Sequence, residues 1–269
     1  MGATSLTSGR FLRYAADWRP LSFVWSAFAL HLLVFWYASP LWAVLWALPL
    51  IAISTLVAAL NHHHQHVNAF HSGFLNRVND LVLALQTGVG PYTWVLHHNL
   101  GHHKNYLNQP PSDSPDESHW ARKDGTTMGR MEYTLHLFLH HQVDVYRVGR
   151  KHPEILRSYL LMKIPLYTLM AIGFYLNPFN FLVVFFVPSL LALAHTCWAT
   201  YEHHAGQNTA DHYAASVNRE HRLFNFLTCN LGLHTAHHMQ PDLHWSLLPE
   251  LHAKIRPSIP DHLLIKGFW

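Results

Sequence analysis

The stretch Leu41–His66, LWAVLWALPLIAISTLVAALNHHHQH, joins an apolar block to a run of histidines. Its first 20 residues carry no charged side chain, and about 20 apolar residues of helix cross a bilayer core of about 30 Å. A helix that continues to the last histidine is about 39 Å long, at about 1.5 Å per residue. The stretch therefore predicts a transmembrane helix whose histidine end projects out of the hydrocarbon.

Four apolar blocks of this kind divide the chain into two hairpins. The blocks are residues 21–38, 41–60, 159–176 and 179–200. Ser39-Pro40 separates the first pair and Asn177-Pro178 the second, so each pair predicts two helices joined by a tight turn. Only 12% of the residues are charged, against about 25% in typical soluble proteins. The predicted fold class is an all-α integral membrane protein with four transmembrane helices in two hairpins.

The positions of the basic residues predict the orientation of these helices. Neither short turn contains any of the 18 lysines and arginines. The positive-inside rule then puts both termini and the segment between the hairpins in the cytoplasm. There, residues 61–157 and 202–269 are expected to form a helical cap that carries the histidine clusters. The chain is expected to be one domain over residues 1–269.

Two parts of the middle segment are expected to lie outside the bilayer. Leu107–Ser118 is rich in proline, serine and aspartate and predicts a loop. Val78–Leu96 is apolar, but glycines and a proline interrupt it near its end. It therefore predicts a cap or interfacial element and not a fifth span.

Histidine is the unusual component, with 26 residues against 15 acidic ones. Four clusters stand out, at residues 62–66, 97–103, 203–204 and 234–238. Residues three and four apart share one face of a helix, so His62 with His66, and His98 with His102, are expected to point to the same side. Imidazole suits iron, zinc, copper and nickel. Eight or nine converging imidazoles exceed the roughly six ligands of one octahedral ion, so the clusters predict two metal ions.

The order of these clusters resembles the integral-membrane fatty acid desaturase and hydroxylase superfamily. The spacings H-x3-H, H-x3-HH and H-x2-HH, arranged around two membrane hairpins, carry the resemblance. Phe70 and Leu75-Asn76-Arg77 after the first box, and Trp245–His252 after the last, are similar to its bacterial fatty-acid-desaturase-like branch. Members of the superfamily hold two iron ions on these histidines and use O2 and two electrons.

The resemblance implies a set of nine metal ligands. They are His62, His66, His98, His102, His103, His203, His234, His237 and His238. Neighbouring histidines remain open alternatives, namely His63 and His64 for His62, His97 for His98, and His204 for His203. Glu202 is a candidate for orienting an imidazole, and Asp80, Asp211 and Asp242 are weaker candidates for the same role.

One part of the third cluster departs from the desaturase pattern. Desaturases often carry an asparagine four residues before the isolated ligand, where this chain has Ala199. Tyr201-Glu202-His203 instead resembles a motif of alkane hydroxylases, and so does the second box. Hydroxylation therefore stays beside desaturation as an expected outcome.

A further H-x3-HH pattern, at His136, His140 and His141, competes for the role of second box. The order of boxes in the superfamily places the second box about thirty residues after the first, which favours His98. The three histidines of the further pattern are therefore assigned to packing within the cap.

The resemblance implies O2-dependent oxidation of an unactivated C–H bond in a fatty acyl chain, with desaturation as the leading outcome. Alternatives within the superfamily are a membrane hydroxylase of alkyl or acyl chains and an enzyme that cleaves the chain to an alkene or alkane. A histidine-rich metal transporter or sensor is the alternative from another class. It requires polar residues in the spans, which contain almost none besides His31, His195 and Lys163.

The resemblance also implies cofactors and partners. The cofactors are two iron ions with O2 as co-substrate, and zinc can replace iron in purified protein because it stands higher in the affinity series. Electrons are expected from a ferredoxin, a rubredoxin or a cytochrome b5-type donor. The basic group Arg147, Arg150 and Lys151 is expected to bind either that donor or the headgroups of membrane lipids. A net charge of +3 without a recognisable module excludes nucleic acid.

Overall fold

The computed structural model describes residues 9–110 and 118–268, and most of these residues are helical. The α-helices are α1 Trp18–Tyr37, α2 Pro40–His66, α3 Gly73–Thr87, α4 His103–Asn105, α5 Arg130–Gly149, α6 Pro153–Leu176, α7 Pro178–Phe181, α8 Val187–His204, α9 Arg222–Leu227, α10 His234–Met239 and α11 Leu248–Ile255. The strands are β1 Asn218–Arg219 and β2 Leu264–Ile265. Two π-helical segments, Val95–His102 and Leu182–Phe186, and several short 3-10 turns complete the secondary structure.

Four helices are long and apolar enough to cross a membrane. They are Ala15–Tyr37, Pro40–His66, Pro153–Leu176 and Pro178–His204. This confirms the predicted all-α fold with four spans. The third helix begins at Pro153, six residues before the predicted block, and the fourth continues four residues beyond it, to His204. Polar and charged residues next to an apolar block can continue the helix, so hydropathy alone underestimates its length.

The short turns between the paired helices are held by side chains. Only Ala38 and Ser39 separate α1 from α2, and only Asn177 separates α6 from α7. The amide of Asn180 donates to the carbonyl oxygens of Phe35 and Ala38, at 3.0 and 2.9 Å. These bonds satisfy carbonyl groups that the end of α1 leaves without a helical partner.

The fourth span contains a wider helical turn. Residues Leu182–Phe186 are π-helical, with α7 before them and α8 after them. Pro188 lies two residues after Phe186, and it lacks the N–H that an α-helix needs at that point. We attribute the π turn to this proline, because prolines and π bulges are the usual sources of irregularity in long helices.

The fold consists of two compact units that alternate along the chain. The first unit contains Met1–Pro91 and Tyr159–Leu193, and the second contains Tyr92–Ser158 and Ala194–Trp269. The apolar core of the first unit includes Val34, Phe35, Ala43, Leu50, Phe181, Val184 and Phe185. The expectation of one domain over residues 1–269 stays a prediction.

Helix α3 of the first unit occupies most of the stretch expected to be a cap or interfacial element. It begins after Ser72, whose side chain accepts from the backbone N–H of Leu75, and ends at Gly88, which has a positive φ of 70°. It contains 15 residues and is not among the helices that could cross a membrane.

The predicted loop at Leu107–Ser118 agrees with the structure at residues 107–110 and 118, and its residues 111–117 lie outside the described residues.

The C-terminal part of the second unit builds a small core around α10 and α11. Its buried residues are Leu233, Ala236, Leu248, Ile255, Ile259 and Leu263. Beside it, β1 and β2 pair in parallel, with Asn218 opposite Leu264 and Arg219 opposite Ile265. The backbone N–H of Arg219 also donates to the carbonyl oxygen of Gly232, at 2.8 Å. The chain just before α10 is therefore anchored to β1.

Gly232 tolerates no side chain at this anchor. A Cβ atom there would lie 2.8 Å from the Asn225 side-chain oxygen and even closer to the backbone oxygen of Arg219. We expect Gly232→Ala to lower the free energy of unfolding by about 1–3 kcal/mol, as overpacking usually does. Thermal unfolding in detergent measures this. Gly129→Ala is the matched control, because nothing lies within 4 Å of a Cβ at that position. Equal midpoints for the two variants would contradict the close approach.

Candidate metal centre

Helix α10 presents three histidines from only six residues. Asn218 fixes its first turn, because its side-chain oxygen accepts from the Thr235 backbone N–H at 3.0 Å and its amide donates to Thr235 Oγ1 at 2.7 Å. Both residues are fully buried. The spacing of three and four residues between His234, His237 and His238 then directs all three rings to nearby positions.

Four histidines of the second unit converge through their Nε2 atoms. His204, His234 and His238 form a triangle with sides of 3.0, 3.1 and 3.1 Å. The Nε2 atom of His102 lies 3.3 Å from that of His204. All four residues are buried, with exposed fractions between 2% and 6%. We call these four residues the His204 group.

Hydrogen bonding cannot satisfy the triangle within the His204 group. Each ring nitrogen of a neutral imidazole is either a donor or an acceptor. Among three mutually close nitrogens, at least one contact must therefore join two donors or two acceptors. His204 Nδ1 lies 2.8 Å from the carbonyl oxygen of Ala215, so Nδ1 carries the proton and Nε2 offers a lone pair. A bound cation resolves such an arrangement, because every Nε2 lone pair can then point to it.

A second group of the same unit consists of His98, His103 and His237. The Nε2 atom of His103 lies 3.0 Å from the Nε2 atoms of both His98 and His237. The rings of His98 and His237 are nearly parallel, with centroids 6.0 Å apart. One ring nitrogen from each of the three histidines lies within 4.8 Å of the others. We call these three residues the His103 group.

The second histidine box is π-helical, and its histidines divide between the two groups. The rings of His98 and His102 lie on the same side as expected, stacked with centroids 5.2 Å apart, although residues Val95–His102 form a π-helix and not an α-helix. In the structure His98 belongs to the His103 group and His102 to the His204 group. A π turn bonds residue i to residue i+5, so His98 meets His103, five residues on, at 3.0 Å between Nε2 atoms.

Both groups fit metal ions. Two ligand nitrogens at about 2.1 Å from one ion and at right angles to each other are about 3.0 Å apart, close to the separations of 3.0 to 3.3 Å within the groups. Metal-binding histidine must be neutral. Burial, together with His103 and His204 nearby, holds the pKa of His238 well below its usual value of 6.5. The donor set is imidazole alone, which iron and zinc both accept.

The first unit contains the histidines of the first box, His62 and His66. The rings of His62 and His66 have centroids 4.8 Å apart, and one ring nitrogen of each lies within 4.8 Å of the other. His64 is engaged elsewhere, because its Nε2 lies 3.5 Å from Asp80 and its Nδ1 accepts from the backbone N–H of Ala69. Among the open alternatives, this geometry favours His62 over His64 as a metal ligand.

Asp80 holds the histidine end of α2 against α3. This carboxylate has a side-chain exposure of 0% and lies 2.8 Å from Arg77 Nη1. The amide of Gln65 donates to it at 2.7 Å and also contacts Asn61 at 3.2 Å. Asp80 therefore orients the helix that carries His62 and His66 through their neighbours in sequence. Of the other carboxylates considered, Asp211 accepts from the Tyr213 backbone N–H in a local turn, and Asp242 is exposed.

The structure brings His204 to the centre of its group and places His203 beside it. His204 Nε2 lies within 3.3 Å of the Nε2 atoms of three other histidines. The ring of His203 lies tilted beside that of His234, with centroids 3.9 Å apart, and His203 is not a member of either group. The sequence prefers His203 and leaves His204 open, whereas the geometry favours His204.

Glu202 pairs with arginines. Its carboxylate accepts from Arg219 and lies 3.7 Å from Arg130 Nη2. Arg130 also packs over the ring of Trp198, at 4.4 Å. Among the described residues Glu202 thus joins the end of α8 to β1 and to α5, and this pairing gives no support to the expectation that it orients an imidazole.

The histidines of the further pattern lie along α5 and bond within that helix. His140 Nδ1 and His141 Nδ1 bond to carbonyl oxygens of their own helix, each at 2.8 Å. His136 stacks on His140 with centroids 4.4 Å apart, and both are exposed. Neither metal group within the described residues contains any of the three.

Tyr106 is a component of the site that the histidine pattern does not reveal. Its ring lies 4.2 Å from that of His238 and 5.3 Å from that of His204. Burial, and then Asp211, raises the pKa of Tyr106 to about 12, so the hydroxyl keeps its proton, and it lies 2.5 Å from His212 Nδ1. The sequence does carry one signal for it, because Tyr106 follows His102 by four residues.

Comparison with known proteins gives one match. The model of a protein family described as fatty acid desaturase matches residues 40–267, which include all four histidine clusters and three of the four spans. No curated protein and no solved structure matches the chain.

We expect Asp80→Asn to lower the free energy of unfolding by about 1–3 kcal/mol, because hydrogen bonds to a buried charged group have about this strength. Thermal unfolding of the purified protein measures the change. Lys254→Gln is the control, since it removes an ion pair with Glu250 whose two side chains are 69% and 71% exposed, and such pairs contribute about 0.2–1 kcal/mol. Equal losses for the two variants would show that Asp80 has no special role.

Proposed function

The chain belongs to the fatty acid desaturase family, and on that premise we propose that it oxidises an unactivated C–H bond of a fatty acyl chain with O2. It is an integral membrane protein with four spans, and its histidine groups fit a metal site. The leading outcome is desaturation. Two hydrogens leave the acyl chain, and with two protons and two external electrons they reduce O2 to two molecules of water.

One observation carries the proposal. Within one unit, seven histidines offer ring nitrogens in two groups, with Nε2 separations near 3 Å. We assign one ion to His98, His103 and His237, and the other to His102, His204, His234 and His238. We propose His62 and His66 as further ligands from their H-x3-H spacing. His203, the ligand expected from the sequence, is the alternative to His204.

Two bound iron ions would supply the activation of O2 that removal of hydrogen from a saturated carbon needs. The chain's own residues prepare the site for them. Ala215 fixes the tautomer of His204 by accepting from its Nδ1. Tyr106 covers one side of His238, and the burial of His234 and His237, at 2% and 1% exposed, keeps water away from their rings. Asn218 holds the short helix that presents three of the ligands.

The environment of the site is part of the proposal. The distribution of lysine and arginine favours cytoplasmic termini and a cytoplasmic metal centre, with residues 61–157 and 202–269 as the cap. Electrons then come from a ferredoxin, a rubredoxin or a cytochrome b5-type protein in that compartment. Zinc in the purified protein would reflect its higher affinity for imidazole sites and not a different reaction.

Hydroxylation is the second candidate, with chain cleavage to an alkene or alkane as a variant. Two features favour it: Ala199 departs from the desaturase pattern, and Tyr201-Glu202-His203 resembles a motif of alkane hydroxylases. The same site serves all these outcomes, since the position of the substrate decides the fate of the acyl chain after the first C–H cleavage. The family match gives no support to a metal transporter or sensor.

The ligand assignment can be tested with single alanine variants. We expect His237→Ala and His204→Ala to lose at least half of the bound iron, because each removes a ligand from one of two ions. Activity should fall more than about 100-fold, beyond the 10- to 100-fold typical of residues behind the ligands. Iron analysis of protein purified from iron-supplemented cells measures the first effect, and His140→Ala, on an exposed helix face, is the matched control.

The variant His203→Ala separates the two adjacent histidines. It should retain both iron ions if His204 is the ligand. Iron loss in His203→Ala together with full retention in His204→Ala would reverse the assignment.

The outcome of the reaction can be read from product masses. We expect lipids from cells that express the chain to contain fatty acids lighter by two hydrogen atoms, absent from cells that express His237→Ala. Mass spectrometry of hydrolysed lipid extracts measures this. Products heavier by one oxygen atom would support hydroxylation, and shortened hydrocarbons would support chain cleavage.

A further inference from the structure

Helix α5 presents a row of apolar side chains to the outside, although it is not one of the candidate spans. Met131, Leu135, Leu139, Val143 and Tyr146 are 62%, 55%, 68%, 55% and 52% exposed. Successive members are three or four residues apart, so they line one side of the helix. We call these five residues the α5 stripe. Exposed apolar rows of this length mark contact with a membrane or a protein.

The α5 stripe is separate from the face that α5 packs into the second unit. The inward face includes Tyr133, Leu137, Val145 and Val148, each between 0% and 6% exposed. Tyr133 also contacts Thr200 of α8 through its hydroxyl, at 3.3 Å. At about 100° per residue the stripe covers roughly a third of the helix circumference. The packing of α5 is therefore complete without the stripe, and the described residues leave the stripe at the surface.

The C-terminal end of α5 adjoins a membrane span. Helix α5 ends at Gly149 and α6, a candidate span, begins at Pro153. The turn between them is tight, because a Cβ atom at Gly149 would lie 2.7 Å from Leu156 Cδ1. Three residues cannot carry the chain far. The end of the α5 stripe therefore lies close to the start of α6, whose apolar block begins at Tyr159.

The charges at this junction are mainly positive. Arg147, Arg150, Lys151 and Arg157 lie on or next to the turn, and Glu154 is the acidic residue among them. Arg147 pairs with Asp144 at 2.8 Å, and Arg150 and Lys151, just beyond the end of the stripe, are both exposed. On an ideal helix Arg150 lies within the sector of the stripe itself. Basic residues beside an apolar helix face are the pattern of helices that bind anionic membrane surfaces.

We propose that α5 lies in the interface of an anionic membrane, with the α5 stripe among the upper acyl chains and with Arg150 and Lys151 on headgroup phosphates. The continuity with α6 and the sign of the charges favour lipid over a second copy of the chain or a soluble partner. Tyr146 suits this position, because tyrosines are enriched at membrane interfaces. The inference does not depend on the reaction proposed above.

Lipid-quenched fluorescence of the full chain in nanodiscs tests the proposal. Leu139→Cys, labelled with an environment-sensitive fluorophore, reports on the stripe, and Lys254→Cys reports on an exposed site of α11. The natural cysteines, Cys197 and Cys229, are buried, and the labelled wild-type chain measures any background. We expect lipids with brominated acyl chains to quench the label at Leu139 several-fold more than the label at Lys254. Val143→Cys is a second reporter if Leu139→Cys is not monodisperse.

The anionic part of the proposal has its own measurement. Quenching at Leu139 should increase when phosphatidylglycerol is added to discs of phosphatidylcholine. The double variant Arg150→Gln with Lys151→Gln should lose most of that increase. An increase that persists in the double variant would overturn the role of the two cations.

Other outcomes would overturn the membrane assignment. A label at Leu139 that lipid does not quench in either type of disc contradicts it. So does a label that becomes protected only when two chains share a disc, which would indicate a dimer interface, or only when a soluble electron donor is added.

Discussion

Three imidazole nitrogens that lie about 3 Å from one another cannot all be satisfied by hydrogen bonds, and the second unit is organised around such a set. His204, His234 and His238 come from two helices that are far apart in sequence. Each is buried, so water cannot relieve the conflict between their lone pairs. The surrounding structure holds them in place through Asn218, Gly232 and the pairing of β1 with β2. Without a cation the unsatisfied nitrogens raise the free energy of the folded state. With a cation the same arrangement is preorganised for binding it.

The polar residues near the histidines differ from them in what they contact. Asp80, Glu202 and Asn218 are polar and lie near the histidines in sequence or in space, but they contact arginines, amides and a hydroxyl group, and the one histidine beside Asp80 is His64, which belongs to neither group. They link helices and strands to each other. Polar side chains of this kind hold the ends of helices in position, and the imidazoles of the two groups lie at those ends.

Much of the fold was predictable, because apolar length is a direct signal of a membrane span. The blocks at residues 41–60 and 179–200 predicted two spans, and the continuation of α2 to His66 followed from the histidines attached to it. For the site, the sequence predicted which clusters of histidines take part, but not which individual histidines contact one another. Hydropathy and spacing assume a uniform α-helix, so they could not reveal that His98 and His102 belong to different groups. They also gave no means to choose between His203 and His204, because that choice depends on a backbone carbonyl at Ala215.

The π-helix at Val95–His102 explains why the histidines of the second box are spaced differently from those of the last box. The last box, on α10, has histidines three and four residues after His234, whereas the second box has histidines four and five residues after His98. The extra residue in the motif matches the extra residue in the helical turn. The extra residue is thus accommodated inside one turn, where His98 joins the His103 group and His102 joins the His204 group. The sequence spacing of histidines in these two motifs therefore reflects the type of helix that carries them.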